Sequence, residues 1–221
     1  MIKVTWLGHS AFKIEKNELI IFIDPWISGN PVTPFKNVSD VKKANYVFLT
    51  HEHGDHGFSD AIDICKNTGA TFIGITDIGD KAAERGVKNI ATGNIGGEMK
   101  IDDITVYFTR AIHSTQGSAP CGIIITMDDK SVYYSGDTAF FSDMSYYSKL
   151  YNIYIMIIPV GSVYTMGIKE ANWAVKKVKP KHVIPMHYNT FPEIAVESNK
   201  LKEFCEKSKV NILEINKPVQ F

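Results

Sequence analysis

The chain has 221 residues, 44% of them apolar, which is enough for one sizeable domain with its own core, and no shift of composition marks a linker. Its 24 basic and 24 acidic residues cancel, so no global field draws it to nucleic acid or to an anionic membrane. Cys65, Cys121 and Cys205 are odd in number, far apart and set among apolar residues; they suit small core positions in a reducing compartment rather than a disulfide framework.

The N-terminus runs straight into a strand-like pattern without a basic, then apolar, then small-residue leader, and no apolar run reaches membrane-spanning length. A cytoplasmic protein made of one domain, residues 1–221, is expected.

Ile2 to Leu7 and Ala11 to Glu15 alternate in polarity, and Leu19 to Ile23 is continuously apolar. These read as an opening meander of strands with a turn at Lys16-Asn17-Glu18. His9 sits in the corner between the first two strands, where it either faces a site at the sheet rim or satisfies loop backbone. Asp24 precedes Pro25, which favours extended backbone, so its carboxylate projects from a strand end. There it can brace a metal-ligating His loop from behind, or serve as an ordinary turn Asp. Trp26 to Lys43, with Gly29, Pro31 and Pro34, is loop-like and long enough to wall a cleft.

Tyr46 to Leu49 is a buried-strand run that leads into Thr50-His51-Glu52-His53-Gly54-Asp55-His56-Gly57. Side chains two apart on extended backbone point the same way, so His51 and His53 can grip one cation together. Gly54 lets the chain turn, and Asp55 and His56 then face elsewhere, able to hold a second cation or orient a water. Zinc proteases instead place two His four apart on a helix. Imidazole and carboxylate without thiolate suit zinc, iron or manganese.

Ser59 or Asp60 can cap a helix that runs through Asn67 and ends at Gly69. Thr71 to Ile75 reads as a strand, Asp77 to Arg85 as a helix stopped by Gly86, and Val87 to Ala91 as a short strand. Gly93, Gly96 and Gly97 read as turns, since no helix pattern follows that would make them a phosphate cradle. Ile104 to Ile112 alternates and delivers His113 at its end. Cys121 to Met127 and Ser131 to Ser135 form a hairpin across Asp128-Asp129-Lys130, followed by Gly136-Asp137-Thr138. Tyr154 to Pro159 is a buried strand, Lys169 to Val178 a helix, and Val183 to Pro185 a strand leading to Met186-His187-Tyr188. His182 lies before that strand and reads as surface. Pro192 to Lys207 is a final amphipathic helix and Val210 to Ile215 a closing strand. His51, His113, Asp137 and His187 thus each follow the C-terminal end of a strand-like run, and in sheets crossed by helices such ends gather at one edge, where ligands bind.

With these residues placed, the chain resembles the metallo-β-lactamase superfamily, whose signature is His-x-His-x-Asp-His followed by a distant His, Asp and His. The counterparts are His51, His53, Asp55, His56, His113, Asp137 and His187. Further segments, Trp-Leu-Gly-His-Ser at 6–10, Ile-Asp-Pro at 23–25, Ser-Gly-Asp-Thr at 135–138, Thr-Met-Gly at 165–167 and Pro-Met-His-Tyr-Asn-Thr-Phe-Pro at 185–192, are similar to small metal-dependent hydrolases near the ascorbate-6-phosphate lactonases. The resemblance implies an α+β fold, an αββα sandwich of two mainly antiparallel sheets with helices outside. It further implies one divalent cation on His51, His53 and His113, a second on Asp55, His56 and His187, and Asp137 bridging them, with zinc, manganese or iron as the metal. Asp55 would orient a shared hydroxide or accept its proton, and Tyr188 and Asn189 are candidates for substrate contact. Gly161 to Tyr164 departs from the close relatives, which carry Asp and Asn where Ser162 and Val163 stand.

The expected activity is hydrolysis of a small ester or lactone, with a phosphorylated sugar lactone as one candidate. A phosphodiesterase and a metal-bearing metabolite-binding protein without turnover are the alternatives. A small-molecule substrate is expected, with no nucleic acid and no membrane as partner. Phe140-Phe141 and Tyr146-Tyr147 either pack locally or serve a pocket or an interface between copies in a homo-oligomer.

Overall fold

The computed structural model describes residues 1–115, 117–197, 200 and 209–221. Among these the chain order is β1 (Lys3–Gly8), β2 (Ala11–Lys16), β3 (Leu19–Ile23), β4 (Tyr46–Phe48), α1 (Phe58–Thr68), β5 (Thr71–Ile75), α2 (Thr76–Glu84) and β6 (Ile90–Gly93). There follow β7 (Glu98–Ile101), β8 (Ile104–Arg110), β9 (Cys121–Met127), β10 (Lys130–Tyr134), α3 (Met144–Leu150), β11 (Ile153–Pro159), α4 (Ile168–Val178), β12 (His182–Met186), β13 (Lys209–Val210) and β14 (Val219–Gln220). Among the described residues no helix is long and apolar enough to cross a membrane.

Backbone packing divides the chain into two compact units. The first comprises Met1–Asn94, Thr115–Ala119 and Leu213–Phe221, and its seven-stranded sheet has the order β14-β1-β2-β3-β4-β5-β6. The run from β14 to β3 is antiparallel and the run from β3 to β6 parallel. Parallel neighbours need a crossover connection; α1 and α2 provide two of them and pack on β4 and β5 and on β5 and β6. That covering explains why β4 is apolar without alternation, every residue of Tyr46–Phe48 being buried.

The second unit, Ile95–Ser114 with Pro120–Ile212, repeats the plan in the order β13-β12-β11-β10-β9-β8-β7. Strands β7 to β10 form an antiparallel meander, and β10 to β13 run parallel. Each sheet is therefore evenly mixed rather than mainly antiparallel, because half of its neighbours are joined by crossovers.

Several boundaries differ from the sequence expectation. Strand β6 begins three residues later than the Val87 start, because the Val87 N–H donates to Ala82 O (3.1 Å) and closes α2. Strand β7 lacks an apolar signature because it is an edge strand alternating between exposed and half-buried residues. Helix α3 is only seven residues long, between the Asp137 segment and the Tyr154 strand, where no helix is expected from the sequence. It seats Tyr147 against Phe141, both buried, with ring centroids 6.4 Å apart, while Tyr146 stays exposed. Of the expected final helix, Pro192–Ile194 is a 3-10 turn and residues 195–197 have no regular structure; 198, 199 and 201–208, with Cys205, lie outside the described residues. The closing strand is β14 rather than Val210 to Ile215, and only Lys209–Val210 of that region pairs with β12.

The Asp128-Asp129 turn joins β9 to β10 with Met127 opposite Lys130, and Asp128 takes a positive φ of 55° that such a tight hairpin demands. Within β9, Gly122 is opposite Thr109, and a Cβ there would lie 2.4 Å from Thr109 Oγ1 and 2.7 Å from Ser135 O. Gly122→Ala is expected to lower stability by about 1–3 kcal/mol through overpacking, read as a lower midpoint in urea denaturation.

Candidate metal centre

In the first unit the site grows from the ends of β3 and β4. Asp24, directly after β3, is fully buried. Its backbone is left-handed at φ 45° rather than extended as the following proline favours. Tertiary bonding overrides the local preference: the Asp24 N–H donates to Phe48 O (3.0 Å), and Trp26 N–H donates back to Asp24 O (2.7 Å). The carboxylate then gathers three donors. Thr50 N–H reaches Oδ1 at 2.8 Å, and the Thr50 hydroxyl and His56 Nδ1 reach Oδ2 at 2.7 Å each.

Those bonds select tautomers. With Nδ1–H of His56 given to Asp24, its Nε2 is left to accept. The Thr50 hydroxyl, having spent its proton on Asp24, accepts from His51 Nδ1 (3.1 Å), so His51 Nε2 is likewise left to accept. That nitrogen lies 3.1 Å from His53 Nδ1, a pair of ring nitrogens that a proton or a cation must bridge. Thr50 was missed in the sequence, although its position immediately before His51 was the available signal.

The chain reverses after His53 through a 3-10 turn, Gly54–His56, in which His56 N–H donates to His53 O (3.0 Å). Gly57 follows at φ 72°, and a Cβ there would stand 2.6 Å from Trp26 Cα, so only glycine lets the turn press on the loop after β3. Asp60 does not cap α1. Its Oδ2 accepts from Ile27 N–H (2.7 Å) and Ser28 N–H (2.8 Å), pinning that loop to the helix. Gly57 takes the cap position instead. Glu52, between the two His, pairs with Lys81 at 2.6 Å.

His9 belongs to the same cluster. Its ring is fully buried and its backbone is left-handed at φ 55°. Its Nε2 is 3.0 Å from Asp55 Oδ2, Trp6 Nε1 donates to its carbonyl (2.9 Å), and the Trp26 ring meets it edge-on at 5.3 Å. Ligand atoms of His9, Asp55 and His56 lie within 4.8 Å of one another, as do those of His51 and His53 and those of His51 and His56.

The second unit carries its own cluster. Asp137, three residues past β10, lies with its Oδ2 3.1 Å from His187 Nε2 and 3.6 Å from His113 Nε2. His113 comes three residues after β8, and two bonds tie its stretch to the Asp137 loop: Ile112 N–H to Thr138 Oγ1 (2.9 Å) and Ala139 N–H to Ile112 O (2.9 Å). His187 follows β12 at φ 54°. Tyr188 is buried, while Asn189 is exposed and accepts from Val196 N–H (2.7 Å) on its amide oxygen. His182 opens β12, half-buried, with its ring 5.0 Å from that of Tyr154.

Each unit thus brings a buried or half-buried set of imidazoles and a carboxylate to strand ends. Among the described residues no thiolate joins either set: Cys65 and Cys121 are buried outside them, and burial pushes the Cys65 thiol up to about 12. Such a donor set fits a divalent cation of the zinc, manganese or iron kind, since His51 and His56 both hold Nδ1–H away and present Nε2.

Comparison with known proteins agrees. The sequence model of the β-lactamase superfamily domain matches residues 3–187. A UPF0173 metal-dependent hydrolase of Staphylothermus marinus is 44% identical over 225 residues, covering 99% of this chain and 97% of that protein. One from Pyrobaculum islandicum is 43% identical over 210 residues, covering 93% and 92%. The solved structure of Igni18, a metallo hydrolase from Ignicoccus hospitalis, has a TM-score of 0.93 at 38% identity and covers 100% of this chain and 98% of that one. Two mixed sheets with helices, two buried or half-buried His/Asp sets at strand ends and these likenesses together place the chain in the metallo-β-lactamase superfamily, among its metal-dependent hydrolases.

Proposed function

We propose that the protein opens a carboxylic ester or lactone of a small molecule, using two divalent cations, zinc or manganese with iron as a further option. As the superfamily resemblance implies, His51, His53 and His113 would hold one and Asp55, His56 and His187 the other, with Asp137 available to both. The observation that carries this reading is the 3.1 Å approach of His51 Nε2 to His53 Nδ1, because both rings are positioned for a common cation. When bound, such cations supply a water-derived nucleophile near neutral pH and positive charge for the departing oxygen.

The protein's own residues do the rest. Asp24 and Thr50 fix the tautomers of His56 and His51, so neither ring has to turn or shed a proton before binding. Asp137 keeps His113 and His187 on one carboxylate oxygen. Asp55, one oxygen steadied by His9, orients the attacking water and takes its proton. Burial of His9, Asp24, His51 and His56 excludes bulk water from the back of the cluster and strengthens each of these interactions. The balanced overall charge favours a small substrate over nucleic acid.

Hydrolysis of a lactone and of an aryl phosphodiester, compared on protein reconstituted with zinc or manganese, is expected to favour the lactone. His53→Ala should lose at least 100-fold in kcat; faster turnover of the diester would overturn the ester reading. Asp24→Ala should weaken metal binding about 10- to 100-fold, measured by competition with a chromogenic chelator. His9→Gln keeps a donor at similar reach to Asp55, whereas His9→Asn tolerates positive φ but is too short. Near wild-type rates for the first and a kcat loss of about 10-fold for the second are expected if the contact with Asp55 is what matters.

A further inference from the structure

The loop between β11 and α4 grows out of the second unit's cluster. Gly161 presses on His187, since a Cβ at Gly161 would lie 2.1 Å from the His187 carbonyl oxygen. At its other end Met166 N–H donates to Thr138 O (3.2 Å), next to Asp137. Gly161 and Gly167 bridge to close the base, with Ser162 N–H donating to Met166 O (3.0 Å). Both stems are therefore fastened to residues that flank or carry the Asp137 and His187 side chains.

Its tip breaks the usual chemistry of such a turn. Ser162 and Val163 both take positive φ, 61° and 56°. Consecutive left-handed residues favour Asn, Asp or Gly, and a β-branched side chain there is an outlier. Val163 and Tyr164 are also left 67% and 58% exposed. Two apolar side chains kept in solvent on strained backbone, within about 7–11 Å of Gly161 even if the chain were fully extended, suit a part in function better than a part in packing. Residues 162–166, Ser-Val-Tyr-Thr-Met, carry no charge, so the loop offers nothing to neutralise a phosphate.

We infer that Val163 and Tyr164 are specificity-determining residues that contact an apolar arm of the substrate beside the bond to be cleaved. This rests on the ester or lactone reading and narrows it, away from phosphorylated sugar lactones and toward lactones or esters bearing an alkyl or aryl group.

The test uses the full chain reconstituted with manganese or zinc, as wild type, Tyr164→Ala and Val163→Asn. kcat/KM is measured on γ-decalactone, which carries a hexyl arm, and on γ-butyrolactone, which has the same ring without it. Wild type is expected to prefer the armed lactone at least tenfold, and Tyr164→Ala to reduce that ratio about tenfold, mainly through KM. Val163→Asn, relieved of strain, should melt at a higher temperature while also lowering the ratio. An identical ratio in all three proteins overturns the inference. Should wild type open neither lactone, the ester reading falls, and equilibrium binding of decanoate against acetate decides the loop separately. Decanoate affinity at least fivefold weaker in Tyr164→Ala upholds the contact; equal affinity removes it.

Discussion

A single buried carboxylate organises the first unit. Asp24 is removed from water, which would be costly for a lone charge, and three donors at 2.7 to 2.8 Å offset that cost. The same bonds tie the end of β3 to the end of β4, fix the entry of the His loop through Thr50, and assign His56 Nδ1 as the donor. A left-handed aspartate before a proline costs roughly 1–3 kcal/mol. That strain persists because Phe48, Thr50 and His56 together over-determine the conformation.

The second unit applies the same architecture to a different task. In both sheets an antiparallel meander gives way to parallel strands, and an aspartate follows the last meander strand, Asp24 after β3 and Asp137 after β10. The C-terminal ends of parallel strands share an edge, and chain reversals beyond them free side chains from the sheet. Asp24 uses its oxygens to hold one imidazole and a threonine from behind. Asp137 instead presents one oxygen to His113 and His187. Equivalent places in two similar sheets thus each carry a buried aspartate that faces imidazoles, with both oxygens engaged from behind in one and a single oxygen between two rings in the other.

Much of this was legible from residues alone, for identifiable reasons. The His loop shows because four ligand-type residues within six positions follow an apolar run, and neither property depends on distant contacts. His113, Asp137 and His187 show because each follows a strand pattern. The function of Asp24 stayed open, since Asp-Pro suits an ordinary turn as well as a brace, and only the fold brings Thr50 and His56 to it. His9 was equally ambiguous; nothing local announces that Trp6 and Trp26 would bury it against Asp55. Strand β7 and helix α3 were lost because an edge strand has no buried face to pattern and seven residues make too little periodicity. Asp60 looked like a helix cap by position, yet the loop at Ile27 and Ser28 supplied better-placed N–H groups.

The first unit is discontinuous in sequence. Strand β14 lies beside β1, more than 200 residues away, and the segment from Leu213 onward joins a unit whose other strands are made before residue 95. During synthesis β1 must therefore wait, with an unpaired backbone edge, while the whole second unit is translated. At roughly 5–20 residues per second that interval lasts on the order of ten seconds. Nascent chains arrested anywhere in it would expose an apolar β-edge, and a chaperone that shields such edges would find its longest opportunity on this part of the molecule.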